Sequence, residues 1–198
     1  MNLPQSNIPF SPEDYLAWEH EQPNRNEYVR GEVFAMTDVS TAHSIATGNL
    51  FAFLHAVVRS GPCQVHMSDM KVGVDAADCF FYPDILVTCD ARDRAADANY
   101  VKRHPKLVVE VLSKSTEAYD RGDKFAAYRM LESLEEYVLV SPERITVDVF
   151  RRDASGHWVL YPFTAGDTLE LASLGFECAL AMLFEGVPPP ESAAAQRL

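Results

Sequence analysis

Apolar residues recur along this chain in two rhythms. Over 41–59, Ile45/Ala46, Leu50, Phe53/Leu54 and Val57/Val58 return at helical spacing. They predict one long helix with a single core-facing side, opened by Ser40. Ahead of it, Ser11-Pro12-Glu13-Asp14 has Ser at the cap position and Pro at the first helical position, a helix start that Gln22-Pro23-Asn24 would end. Between the two helices, Arg30-Gly31 separates Glu27-Tyr28-Val29 from the apolar run at 32–36, the pattern of a hairpin with a tight turn. The second rhythm is of short apolar runs: 65–67 and 70–74 with a break at Ser68-Asp69, then 79–87, 107–112, 136–140, 144–150 and 158–163. Runs of this length without strict alternation suit strands buried on both faces. The segment 117–131 reads as a helix weakened by Gly122, 180–184 as a short helix, and 90–99 as a polar loop. A strand, a helix and a strand in succession around Glu110 and Tyr137 predict an α/β fold with a crossover helix. One domain is expected over 1–186, followed by a Pro- and Ala-rich flexible tail at 187–198.

Two of these strands carry a carboxylate where another apolar residue would fit the pattern. Asp84 lies in Tyr82-Pro83-Asp84-Ile85-Leu86-Val87 and Glu110 in Leu107-Val108-Val109-Glu110-Val111-Leu112. A buried ionised carboxylate is costly unless a metal, a cation or several donors compensate it. Ideal geometry puts Glu110 about 7 Å back from the end of its strand. Lys124 lies about 10 Å into the returning helix, at a similar level. Two carboxylates suit Mg²⁺, with Mn²⁺ as a substitute, and a nearby ammonium would offset charge building on a phosphoryl group. The chemistry that fits is metal-assisted phosphodiester hydrolysis. Structural roles compete: Asp84 as a strand-start cap, and Lys124 as the partner of Asp120 one turn earlier. Glu110 has the weakest structural explanation. His43, in the first turn of the long helix, reads as a capping or packing group, and Glu32 equally well as a solvated hairpin carboxylate or a functional one.

Charge and composition narrow the field. The formal charge of −12 argues against a non-specific nucleic-acid coat protein. Its distribution is uneven, with nine Lys and Arg against six Asp and Glu from Arg92 to Arg129, the segment containing Glu110. With no run of 18 uncharged apolar residues and no basic-then-apolar start, neither a transmembrane helix nor a signal peptide is expected, and the cytoplasm is the default location. Cys63, Cys79, Cys89 and Cys178 lack C-x-x-C spacing and read as reduced, mostly buried thiols. No G-x-G-x-x-G, P-loop or G-x-S-x-G motif supports an enzyme of small-molecule metabolism.

At these residues the chain resembles the Uma2 family, formerly a domain of unknown function, within the PD-(D/E)xK restriction-endonuclease-like superfamily. The likeness is carried by Pro83-Asp84, by Leu107 to Ser113 with Ser115-Thr116, by Tyr119-Asp120, Lys124 and Tyr128, and by Glu136 to Val140 before Pro142. It implies a mixed central sheet flanked by helices, with the N-terminal helix and hairpin attached. It also implies Asp84 and Glu110 as metal carboxylates and Glu32 as an acid from an earlier element. One departure stands out: the superfamily pattern puts Lys two residues after the second carboxylate, where this chain has Leu112. The resemblance moves that role to Lys124, with Lys71 and Lys114 as less favoured substitutes. The implied activity is Mg²⁺-dependent cleavage of DNA by a homodimer. The alternative is a catalytically inactive nuclease fold that serves as a binding or interaction module.

Overall fold

A computed structural model of the chain describes residues 10–36 and 39–189. Helix α1 (Pro12–His20) starts where expected, with the Ser11 side chain accepting from Asp14 N. Strands β1 (Asn26–Val29) and β2 (Glu32–Ala35) form the hairpin, and both turn residues, Arg30 (φ 48°) and Gly31 (φ 93°), are left-handed. A turn of that hand matches the twist of the flanking strands, which is why the hairpin is tight. Helix α2 (Thr41–Val58) is capped by Ser40 and buries Ala46, Leu50, Leu54 and Val58. Each large side chain removed from water in this way contributes about 1.5–3 kcal/mol.

The next strands are β3 (Gln64–Met67), β4 (Lys71–Val74), β5 (Cys79–Phe81) and β6 (Ile85–Thr88). The single strand expected over 79–87 is therefore two strands, parted by Tyr82-Pro83-Asp84. Proline has no N–H to offer a ladder, and the break moves the chain from one sheet to another. β5 lies in a five-stranded sheet of order β2-β1-β5-β4-β7, with β7 at Val101–Lys102. β6 lies in a six-stranded sheet of order β11-β10-β9-β8-β6-β3, in which β8 is Pro105–Val111, β9 Glu136–Ser141, β10 Thr146–Arg152 and β11 Trp158–Phe163.

β8 and β9 are parallel, and the segment between them supplies the expected crossover helix. It runs as α3 (Glu117–Tyr119), a π turn (Asp120–Lys124) and α4 (Phe125–Tyr128), so the weakness foreseen at Gly122 takes the form of a wide turn. The six-stranded sheet is apolar on both faces. Ile85, Val87, Leu107, Val109 and Val138 face α2, whereas Leu86, Val108, Tyr137 and Leu139 face Phe125 and Tyr128 of α4. A second hairpin, β12 (Thr168–Leu171) with β13 (Phe176–Ala179), and helix α5 (Leu180–Leu183) close the α2 side. That hairpin is not among the expected elements, although Thr168–Leu171 briefly alternates polar and apolar residues and buries its two leucines. Val187 packs on this core, and the rest of the expected tail from 190 onward lies outside the described residues. Among the described residues no helix is long and apolar enough to cross a membrane.

The cysteines depart from expectation. Cys63 and Cys89 form a disulfide, while Cys79 and Cys178 are free. The cause is register: Gln64 pairs with Thr88 across β3 and β6, so the two cysteines one step beyond are also opposed. Spacing in the chain carries no trace of that alignment. Thiol titration of the unfolded, unreduced protein should count two groups, rising to four after reduction; four before reduction would contradict the bond.

Candidate active site

The site grows from the junction of β6 and β8. Ile85 pairs with Val109 in antiparallel register, and one further step sets Asp84 across from Glu110. Residues opposed in this way project from one face of a sheet. Asp84 is pinned on both sides: its Oδ2 accepts from Val111 N at 2.7 Å, and its carbonyl oxygen accepts from Ser68 N at 3.0 Å.

Lys124 arrives from the π turn. Its Nζ lies 3.0 Å from Glu110 Oε1, 2.9 Å from Glu27 Oε1 and 3.8 Å from Asp120 Oδ1. The helical partner Asp120 is thus the most distant of the three. Wide turns of this kind displace side chains from regular helical positions and occur often at functional sites. Tyr137 steadies the turn by donating to the Asp120 carbonyl oxygen at 2.9 Å, and Tyr128 donates to Glu110 Oε1 at 3.1 Å.

Two more side chains complete the cluster. Glu27 projects from β1 on the face opposite the buried Tyr28 and accepts from Tyr82 N at 3.1 Å. His43, in the first turn of α2, brings Nε2 to 3.2 Å from Asp84 Oδ2. Glu27, His43, Asp84, Glu110, Asp120 and Lys124 line one cleft of about 670 Å³ that also touches Phe34, Met36, Tyr119 and Pro142.

The electrostatics are one-sided. Glu27, Glu110 and Asp120 share one permanent cation, Lys124, while Asp84 faces His43. Burial holds the Glu110 carboxyl well above the usual carboxylate range; Lys124 opposes this, and Asp120, Asp84 and Glu27 add to it. Burial also works against the Lys124 ammonium, but Glu110, Glu27 and Asp120 outweigh it and keep that ammonium protonated far above ordinary lysine pH. Asp120 is raised by burial as well. Two other buried acids make a useful contrast. Asp93 accepts from Thr88 Oγ1, Arg103 N and His104 N, and Glu136 from Arg151 Nε, Ala172 N and Ser173. Those two are saturated with donors and hold loops in place. The cleft instead gathers Glu27, Glu110 and Asp120 around one buried lysine, with Asp84 beside them.

The donor set suits a hard divalent cation. Among the described residues the hydrogen bonds and ion pairs to Asp84 use Oδ2 and those to Glu110 use Oε1, which leaves Asp84 Oδ1 and Glu110 Oε2 for another ligand. No group of three or more His, Cys, Asp or Glu side chains among the described residues forms a ready-made metal cage. Mg²⁺ does not require one, since it is held by one or two carboxylates and keeps several waters.

Of the residues singled out from sequence, Asp84, Glu110 and Lys124 come together. Glu32 does not: it pairs with Val29 beside the turn and is exposed, while Glu27, paired with Phe34, reaches the cleft. Lys71 is buried on Glu19 at 2.7 Å, away from the cleft, and Lys114 sits at the cleft rim, exposed, 3.5 Å from Glu143. The lysine that reaches the carboxylate pair is Lys124. Glu27 and His43 join the site without having been singled out for it. Their signals in the sequence are weak: Glu27 alternates with a buried tyrosine in a hairpin, and His43 follows the Ser40 cap by three residues.

Comparison with known proteins identifies the family and the fold. A family model described as Uma2, "Putative restriction endonuclease", matches residues 12–182. An uncharacterised protein of Synechocystis sp., slr1290, is 38% identical over 178 residues, covering 90% of this chain and 93% of that protein. A second from the same organism, sll1609, is 26% identical over 147 residues, covering 74% and 83%. A crystal structure from Anabaena variabilis, titled a "putative nuclease belonging to DUF820", superposes with a TM-score of 0.76 at 16% identity, covering 91% of this chain and all of that one. The mixed sheet expected from the sequence is thus shared with a solved structure, and the family match spans the helices and strands that build the cleft: this chain belongs to the Uma2 family.

Proposed function

We propose that this protein is a Mg²⁺-dependent endonuclease that hydrolyses DNA phosphodiester bonds in the cleft floored by Asp84, Glu110 and Lys124. The observation that carries this reading is the cross-strand acid pair with a lysine ammonium 3.0 Å from one member. Asp84 and Glu110 would hold the ion, which when bound supplies charge neutralisation at the phosphodiester and acidifies water. The chain's own groups do the rest. His43 and the Val111 amide keep the Asp84 carboxylate in one orientation. Tyr128 does the same for Glu110. Lys124, with its proton secured by three acids, presents a fixed positive charge where negative charge builds on the phosphoryl group. In this reading the protein works in the cytoplasm as a homodimer.

A second reading, an inert nuclease fold used as a binding module, has one observation in its favour. Lys124 already serves Glu110, Glu27 and Asp120 as an internal counter-ion. Calorimetric titration with Mg²⁺ separates the two readings: heat lost in both Asp84→Asn and Glu110→Gln supports the nuclease, and no heat in the unaltered protein supports the module.

With plasmid and linear DNA, cleavage should need Mg²⁺ or Mn²⁺ and stop with chelator. Asp84→Asn or Glu110→Gln should abolish it, and Lys124→Met should lower kcat by about 10²–10³-fold. His43→Ala, which removes an orienting partner, should cost about 10–100-fold. Cleavage that survives both carboxylate substitutions would refute the assignment.

Stability should move the other way. Because burial raises Glu110, folding takes up a proton between the unfolded value of about 4.3 and the higher folded one. Stability therefore falls as pH rises through that window. Glu110→Gln removes the penalty and leaves Lys124 paired with Glu27 and Asp120, so its melting temperature should exceed that of the unaltered protein at pH 7.5. Below about pH 4 the advantage should vanish; an equal shift at both pH values would mean that the gain does not come from the buried Glu110 charge. Light scattering should report twice the 22.1 kDa chain mass for the homodimer.

A further inference from the structure

We infer that strand β11 is the surface through which two copies of this chain associate, each adding its edge strand to the other so that the two six-stranded sheets run on as one. The inference rests on the homodimer proposed above and names its surface. Backbone parity comes first. β11 closes one edge of the six-stranded sheet, and Arg152 pairs with Trp158 at its start. One step further out, Asp153 N donates to the His157 carbonyl oxygen at 2.8 Å. In an antiparallel ladder, hydrogen-bonded pairs alternate with open ones. Val159, Tyr161 and Phe163 therefore bond to β10, and Trp158, Leu160 and Pro162 turn their backbone groups to the open side. Pro162 has no N–H to leave unused there, which is where an edge strand tolerates proline. Among the described residues no other group bonds to those outward positions.

The side chains fit the same use. Val159, Leu160 and Tyr161 are 40%, 46% and 40% exposed, and β11 holds no acid, lysine or arginine. A long apolar edge without charge or bulge is a template for another strand. The other edges are shorter and polar: β3 carries Gln64 and His66, β2 carries Glu32, and β7 has two residues. Charge and symmetry select a second copy as the occupant. Copies of a chain with charge −12 repel one another, and β11 lets them meet without opposing acids. The acid on the adjoining β10, Asp148, is already paired with Arg121 at 2.7 Å. Set antiparallel about Leu160, each Leu160 N–H meets the partner's Leu160 carbonyl, and each Trp158 N–H meets the partner's Pro162 carbonyl. Every outward donor is then used. Val159 falls opposite the partner's Tyr161, a β-branched and aromatic pair of the kind that stabilises sheets. Both copies gain the same bonds, as a two-fold interface requires. β11 runs parallel to β9, whose far end leads to Pro142 at the cleft. Antiparallel pairing thus puts the two clefts at opposite ends of the joined sheet and leaves both open. Pairing over 158–162 engages few residues against the about 20–30 a side of a standard interface, so the dimer should dissociate on dilution.

The test is light scattering of the full chain over a dilution series. The unaltered protein should fall from twice 22.1 kDa toward 22.1 kDa as it is diluted. Leu160→Lys sets like charges across the two-fold axis and should raise the dimer Kd at least about tenfold. Leu160→Glu should do the same, and an equal mixture of the two variants should regain the dimer mass, because opposite charges then meet. Leu160→Pro deletes an outward N–H that the monomer does not use and should also weaken the dimer about tenfold. Circular dichroism checks that each variant folds. Unchanged dissociation in all three variants would overturn this inference and leave a homodimer built on another surface. A mixture of the folded Lys and Glu variants that stays monomeric would overturn it too. A chain monomeric at every concentration would overturn both the surface and the homodimer, leaving the edge to another occupant. None of these outcomes touches the nuclease reading of the cleft, which the cleavage and Mg²⁺ measurements decide.

Discussion

One ammonium among four acids, Glu110 and Asp120 buried and Glu27 and Asp84 half-buried, is the interaction on which the architecture turns. Lys124 reaches Glu110 and Glu27 within 3.0 Å. In doing so it ties the crossover helix, the central sheet and the N-terminal hairpin together at one point. Without it, those carboxylates would face one another at low dielectric with water as their main relief, at considerable cost. With it, the cluster is tolerable yet still acidic. The protein thus retains a surplus of negative charge where a well-buried region would normally carry none.

Several irregularities of the fold serve this point. Pro83 ends the β5 ladder, so that Tyr82 faces the hairpin while Asp84 begins the next sheet. The π turn brings Lys124 onto the sheet. Ser40 starts α2 where its first turn sets His43 against Asp84. The first two depart from regular structure, and all three aim a polar side chain into the cleft. Local rules broken in concert around one place are what a functional site is expected to cost. The saturated acids Asp93 and Glu136 show the other use of a buried carboxylate, which is to organise loops.

Much of this is readable from the chain. The Ser11 and Ser40 caps, the Arg30-Gly31 turn and the apolar spacing of the long helix are local features, and they reappear within a residue or two of expectation. Asp84 and Glu110 stand out because a carboxylate inside a buried strand demands compensation. The level of Lys124 follows from helix and strand rise. Other features are not readable. Glu32 and Glu27 are both hairpin acids, and only the pairing of Glu27 with Phe34 sets one of them at the cleft. The β12–β13 hairpin has weak periodicity, and its burial comes from packing on the sheet.

The amino-acid order alone pointed to most of the helices and strands, to the acids misplaced for a plain core, and to Lys124 as the favoured one of three lysines. These are properties of residues close together in the chain, where capping, turn chemistry and periodicity act. Register and long-range packing settled the remainder: that Asp84 lies opposite Glu110, that His43 and Glu27 join them, and that Cys63 meets Cys89. Such contacts bring together residues separated by tens of positions. Their alignment arises from strand pairing across the sheet, where a shift of one residue would send every side chain to the other face.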